Sequence, residues 1–139
     1  FYQQFITSDN IKFLSNKTYD LLQHATAALV TSGTATLETA LFKVPEVVCY
    51  KGNWISYQIA KRIITLKYIS LVNLIMDKEV VTELIQDDCT TKRIAKKKQK
   101  ILDPQHRKVV LENYAILEEK LGGKGASSTT AKLIVADLK

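Results

Sequence analysis

Short, mostly apolar runs that alternate with helical patterns are the feature that most constrains this chain. Four such runs occur in its first 71 residues, at residues 11–14, 27–30, 47–50 and 68–71. A strand that is buried on both faces gives this kind of run, as in a parallel sheet. The segments between the runs carry apolar residues at helical spacing. The order predicts an α/β fold with right-handed crossovers and about four parallel strands.

From about Val80 onward the pattern becomes entirely helical. Helices are predicted over residues 81–85, 91–102, 104–121 and 129–138, the last after a Gly-rich and Ser-rich break. We therefore divide the chain into residues 1–86, which build the sheet, and residues 87–139, a carboxyl-terminal helical segment that packs on the same domain.

Composition narrows the class of protein. The chain has 139 residues, enough for one core, and its longest apolar stretch falls short of the ~18 residues that cross a bilayer. Cys49 and Cys89 lie far apart in the sequence, which favours a reducing compartment such as the cytoplasm. A net charge of +6 favours anionic partners. Because the sequence opens on Phe1 within a helix-like run, we expect it to be part of a longer polypeptide.

The turn after the second apolar run carries the most chemistry. Ser32, Gly33 and Thr34 stand where a buried strand ends and a helix begins, which is where open α/β sheets bind ligands. Backbone amides and the positive end of the helix dipole make an anion site there, suited to a diphosphate. Thr36 adds a hydroxyl, and the Glu38 carboxylate is placed to accept hydrogen bonds from a ribose diol.

The same residues also have a purely structural interpretation, in which Ser32 caps a helix, Gly33 makes a tight turn and Glu38 is solvated. From spacing alone the two interpretations are evenly matched. The turn has neither the Gly-x-Gly-x-x-Gly fingerprint of dinucleotide sites nor the Gly-Lys-Ser/Thr of a P-loop. Neither hydride transfer nor P-loop NTPase chemistry is supported.

The residues around this turn closely resemble those of the lipid-A-disaccharide synthases, glycosyltransferases with the two-domain GT-B fold. The matching segments cover residues 28–41, 44–45, 47–48, 50–51, 59–62, 68–75 and 79–86. The resemblance identifies the chain as the later part of a Rossmann-like, UDP-sugar-binding carboxyl-terminal domain. Three positions depart from the family pattern: Val72 replaces a Pro, Lys43 replaces a Gly and Cys49 replaces a Gly.

The resemblance implies an inverting, metal-independent transfer of 2,3-diacylglucosamine from UDP to 2,3-diacylglucosamine 1-phosphate. Ser32, Gly33 and Thr34 would lie at the diphosphate, Glu38 at the ribose, and Asn73 at the donor sugar and phosphate. Lys51, which ends the third apolar run, is the best further cation for the diphosphate. No cofactor or metal is expected. Because the acceptor domain and the proposed catalytic carboxylate lie elsewhere in the family, this chain alone is expected to be inactive.

The partners follow from the same resemblance and from charge. We expect an acylated UDP-sugar donor, an acylated sugar-phosphate acceptor and an anionic membrane surface, with the protein cytoplasmic and peripheral to the inner membrane. The lysine-rich residues 92–100 and the basic, aromatic residues 51–62 are candidates for membrane contact. The same patterns also fit a solvated helix face at residues 92–100 and an amphipathic helix packed on the sheet at residues 51–62. Four strands leave the sheet open, so a second copy or the rest of a longer polypeptide is expected to complete it.

Two other functions fit the sequence. A UDP-N-acetylglucosamine 2-epimerase would place a Ser-Gly turn and a following Glu similarly. A non-catalytic module would use the lysines of residues 92–100 on nucleic acid, but no aromatic residue interleaves with them to stack on bases. We therefore expect no nucleic-acid partner.

Overall fold

A parallel three-stranded sheet forms the centre of the computed structural model, which describes residues 2–31, 33–53, 67–122 and 125–137. The strands are β1 (Ala28–Thr31), β2 (Glu46–Tyr50) and β3 (Thr82–Ile85), in the spatial order β1-β2-β3. Val30 pairs with Val48, and Val48 pairs with Glu83. The α/β class and the parallel, Rossmann-like sheet followed by helices are confirmed.

Six α-helices occur in the described residues, together with 3-10 turns at Tyr2–Phe5 and Gln86–Asp88. The helices are α1 (Thr18–His24), α2 (Thr34–Leu41), α3 (Leu71–Met76), α4 (Thr91–Leu102), α5 (Pro104–Lys120) and α6 (Ala126–Asp137). Thr90 caps α4 by accepting from the Arg93 amide, and Asp103 caps α5 in the same way from the His106 amide. None of these helices is both long enough and apolar enough to span a bilayer.

The core lies on both faces of β2, because successive side chains of a strand point to opposite faces. Val48 packs in one cluster with Val72, Tyr114 and Leu117. Val47 packs on the other face, where Ile101 of α4 covers it. Helix α4 therefore lies on the sheet, while α5 packs against α2, α3 and α4.

Three predictions for individual segments are wrong. Residues 11–14 form no strand: Ile11, Phe13 and Leu14 are exposed, and no neighbouring strand pairs with them in the described residues. Residues 68–71 form no strand either, because Ser70 caps α3 there. Residues 81–85, predicted as a helix, include β3.

Several other segment predictions are confirmed. The runs at residues 27–30 and 47–50 are strands, and α4 has the predicted bounds. Helix α6 begins three residues earlier than predicted. The predicted helix with Ile55, Ile59, Ile63 and Ile64 lies outside the described residues.

Candidate functional site

The turn between β1 and α2 has an unusual backbone. Gly33, at the amino end of α2, has φ 139° and ψ −162°, which L side chains rarely adopt. Among the described residues no side chain caps this end of the helix, and Gly33 and Thr34 are exposed. The turn therefore presents backbone amides and the positive end of the α2 dipole to solvent at the carboxyl end of β1. Ser32 lies outside the described residues.

Thr36 supports this turn from inside. Its hydroxyl donates to the Gly33 carbonyl at 2.8 Å, its amide donates to the same oxygen at 3.2 Å, and its side chain is fully buried. Thr39 donates its hydroxyl to the Ala35 carbonyl at 2.7 Å. The sequence predicts a nucleotide contact for Thr36, but the structure gives this residue an indirect part, since its hydroxyl holds the turn in place.

Glu38 faces a surface cavity of about 340 Å³. The cavity is lined by Glu38 and by residues at the beginning of α1, namely Asn16, Lys17, Thr18, Tyr19 and Asp20. Glu38 follows Gly33 by five residues, a rise of about 7.5 Å along the helix. Two carboxylates, an ammonium, two hydroxyls and a side-chain amide thus line this cavity. Sequence reasoning missed the residues from α1. In the sequence, the one indication that these residues lie near the turn is that α1 precedes β1.

Lys51 follows β2 directly and is exposed. Thr31 pairs with Cys49 in the parallel ladder, so β1 and β2 end side by side. The structure therefore places Lys51 and the turn at the same edge of the sheet.

Asn73 lies in a different environment from the one expected. Its side-chain amide nitrogen donates to the Val81 carbonyl at 2.8 Å and to Glu83 Oε1 at 2.9 Å. Its oxygen accepts from the amides of Val80 and Val81 at 2.7 and 3.0 Å. Asn73 is fully buried, and these four bonds use the whole hydrogen-bonding capacity of its side chain. In this arrangement the side chain has no position left for a sugar or a phosphate.

Glu83 is the partner that sequence reasoning missed. Its carboxylate accepts from the amides of Ile69 and Ser70, each at 3.0 Å, and from the Ser70 hydroxyl at 2.8 Å. The network of Ser70, Asn73 and Glu83 thus ties the start of α3 to β3. No sequence signal identified it, because residues 81–85 were predicted as a helix.

Metal ligands are not grouped in the parts of the chain that the structure describes: no three His, Cys, Asp or Glu side chains come close enough to hold an ion there.

The sequence of the chain is similar to known proteins. The sequence profile of the family described as lipid-A-disaccharide synthetase matches residues 2–135. A lipid-A-disaccharide synthase of Syntrophus aciditrophicus is 40% identical over 130 residues, which are 93% of this chain and 34% of that protein. The enzyme of the same name from Psychromonas ingrahamii is 42% identical over 133 residues, 96% of this chain and 34% of the relative.

The chain spans about a third of the length of these curated relatives. A relative from Geobacter sulfurreducens, with the same printed name, shows 36% identity over 127 residues, 91% of this chain and 33% of its own length. Since the family profile covers nearly all of the sequence, this chain belongs to the lipid-A-disaccharide synthetase family.

Proposed function

We propose that this chain is the UDP-sugar-binding part of a glycosyltransferase that builds the lipid A disaccharide. The proposed donor is UDP-2,3-diacylglucosamine and the proposed acceptor is 2,3-diacylglucosamine 1-phosphate. The transfer would proceed with inversion and without a metal. The observation that carries the proposal is the exposed turn at Gly33 and Thr34, whose helix no described side chain caps, together with the cavity that Glu38 lines.

The turn is suited to the donor diphosphate for electrostatic reasons. A helix of eight residues places the partial positive charge of its dipole at Gly33 and Thr34. The missing side chain at Gly33 lets a phosphate approach the backbone closely. Lys51, at the same edge of the sheet, is proposed to add a full positive charge, and Ser32 a further donor. Together these groups would stabilise the negative charge on the departing UDP.

The cavity beside α2 is suited to the nucleoside. Glu38 is an anionic acceptor for the two hydroxyls of a ribose, which are hydrogen-bond donors. Because the cavity lies one helical turn or so from Gly33, a ribose there would be joined directly to a diphosphate at the turn. This geometry supports a nucleoside diphosphate rather than an isolated anion.

The reaction itself is tested by incubating the complete protein with the acylated UDP-sugar and the acylated sugar phosphate. We expect a disaccharide and free UDP by mass spectrometry. Interconversion of the sugar nucleotide without a disaccharide would instead indicate an epimerase. We further propose that this chain alone has no transferase activity, because the family resemblance puts the acceptor domain and the proposed catalytic carboxylate elsewhere in the polypeptide.

Replacing Gly33 tests the turn. In Gly33→Ala the new Cβ would meet no atom within 4 Å, so the cost is the backbone conformation and not a clash. We expect the turn to relax, at a cost of about 1–3 kcal/mol, and the Kd for UDP to rise about tenfold in calorimetry. Gly122→Ala is the matched control, since Gly122 has φ +80° and equally open space at the end of α5. An equal loss of UDP affinity in both variants would contradict the role of the turn.

Replacing Glu38 tests the ribose contact. Glu38→Gln removes a charged acceptor, and we expect UDP to bind about tenfold more weakly. The variant should lose much less affinity for 2′,3′-dideoxy-UDP, which lacks the hydroxyls that Glu38 would accept from. Glu112→Gln on the exposed face of α5 is the control. If Glu38→Gln weakens both ligands to the same extent, Glu38 does not bind the ribose.

The location of the protein is part of the proposal. An enzyme whose donor and acceptor are both acylated must take them from a bilayer. We therefore propose a cytoplasmic protein that works peripherally at the inner membrane, completed as a sheet by the rest of its polypeptide or by a second copy.

A further inference from the structure

The positive charge of this chain is concentrated in one helix. Helix α4 carries six basic residues and no acidic one, listed as Lys92, Arg93, Lys96, Lys97, Lys98 and Lys100. The whole chain has 20 basic and 14 acidic residues, so these six account for its entire net charge of +6. The other basic residues are balanced by acidic residues elsewhere.

Five of the six basic residues of α4 form one face of the helix, and Lys98 lies outside it. At 100° per residue, Lys92, Lys96, Lys100, Arg93 and Lys97 fall in that order within an arc of about 140°. We call these five residues the α4 basic face. Ile94 and Ile101 lie outside this arc, next to Lys97, and pack on the sheet with Val47 and Leu84. The basic face therefore points away from the core, and all of its members but the half-buried Lys97 are exposed.

This face is poorly neutralised by the chain itself. Among the described residues only Arg93 has an acidic partner, Asp88, and that pair is exposed. Lys92 and Lys96, Lys96 and Lys100, and Arg93 and Lys97 are like-charged pairs four residues apart, a spacing that destabilises a helix. The field extends to the next helix, where burial and then the charge of Lys100 lower the pKa of His106.

We infer that the α4 basic face docks on an anionic phospholipid bilayer. A row of exposed lysines on a rigid helix complements the negative potential of a surface that contains anionic lipids, and each lysine near such a surface contributes to binding. No aromatic side chain lies on α4 to stack on nucleic-acid bases. The inference rests on the proposed function, which requires the protein to reach acylated substrates in a membrane.

The test compares two triple variants of the complete protein that change the net charge equally. Lys92→Gln, Lys96→Gln and Lys100→Gln together neutralise three of the five residues of the basic face, and Gln keeps a similar helix propensity. Lys12→Gln, Lys78→Gln and Lys132→Gln form the control, since these lysines are exposed and scattered. Binding is measured by co-sedimentation with vesicles of phosphatidylglycerol and phosphatidylcholine, and with vesicles of phosphatidylcholine alone.

We expect the α4 triple variant to lose about 100-fold in affinity for the anionic vesicles, about fivefold for each lysine, and the control to lose only a few-fold. Raising the salt concentration should weaken the wild type and the control but change the α4 variant little. Equal losses in the two triple variants would overturn the inference. So would a duplex oligonucleotide that binds the wild type as tightly as the vesicles do and is released by the α4 variant.

The affinity for UDP is measured in detergent, where no bilayer is needed, to separate this inference from the proposed function. The α4 variant should bind UDP as the wild type does. A wild type that binds anionic vesicles through α4 but fails to bind UDP would contradict the proposed function while leaving the docking face in place.

Discussion

Asn73→Ala is expected to lower the free energy of unfolding by about 3–5 kcal/mol. The substitution removes four hydrogen bonds within the core and leaves the amides of Val80 and Val81 buried without an acceptor. It also removes a partner from Glu83, whose remaining contacts hold the start of α3. The loss of stability is measured by chemical denaturation, from the denaturant concentration at the midpoint and from the slope of the free energy of unfolding against denaturant.

Asn113→Ala is the control for this prediction. The Asn113 side chain makes an exposed hydrogen bond to the Val109 carbonyl, and its loss should cost less than about 0.5 kcal/mol. The pair of variants also distinguishes the two roles considered for Asn73. A residue that faced the donor would leave stability unchanged when replaced and would weaken UDP-sugar binding instead.

Glu46→Gln is expected to stabilise the protein at neutral pH by about 3 kcal/mol. Glu46 lies at the start of β2, on the same face as Val48, and is 1% exposed. Its two carboxylate oxygens are buried without hydrogen-bond partners among the described residues. Burial raises the pKa of the Glu46 carboxyl to about 9, so the folded protein keeps this group neutral.

The sign of the pH dependence follows from that pKa. Above about pH 4.5 the unfolded chain releases the proton of Glu46, whereas the folded chain keeps it up to about pH 9. The folded state therefore binds more protons in this range, and stability falls as the pH rises through it. Below pH 4.5 both states keep the carboxyl protonated, so Glu46 no longer lowers the stability of the folded protein. Glu46→Gln removes the titrating group, and its stability should be flatter between pH 5 and 8 (roughly the measurable part of the range).

The measurement is a series of denaturation curves at several pH values for the wild type, Glu46→Gln and the exposed control Glu112→Gln. The wild type and the control should show the same downward slope with rising pH. Glu46→Met, which also replaces the unpartnered oxygens by apolar atoms, should be at least as stable as Glu46→Gln. Parallel slopes for the wild type and Glu46→Gln would show that Glu46 is not held neutral in the folded state.

The centre of the fold was predictable because its middle strand, β2, is buried on both faces, whereas Leu29 and Thr31 leave one face of β1 exposed. Val47 and Val48 lie in cores on opposite sides of β2, so the run around them is apolar without alternation. The third strand was missed because Val80, Val81, Leu84 and Ile85 also fit a helical spacing, and short apolar runs do not distinguish the two. Tertiary contacts decide here: Glu83 and Leu84 pair with Val48 and Cys49 of β2.

The candidate site was predictable where it depends on one local element. Gly33, Thr34 and Glu38 belong to a single strand, turn and helix: Gly33 directly precedes α2, and Thr34 and Glu38, four residues apart, lie on one face of it. Asn73 was not predictable, because its partners lie seven to ten residues further along and meet it only when β3 joins the sheet. The contribution of α1 to the cavity likewise depends on how α1 packs beside α2.

A crystal structure of the complete protein with bound UDP tests the central claim most directly. We expect the diphosphate to accept hydrogen bonds from the backbone amides at Gly33 and Thr34, and the ribose hydroxyls to donate to the Glu38 carboxylate. UDP bound at another place, with Glu38 and the amides of the turn still facing solvent, would contradict the account.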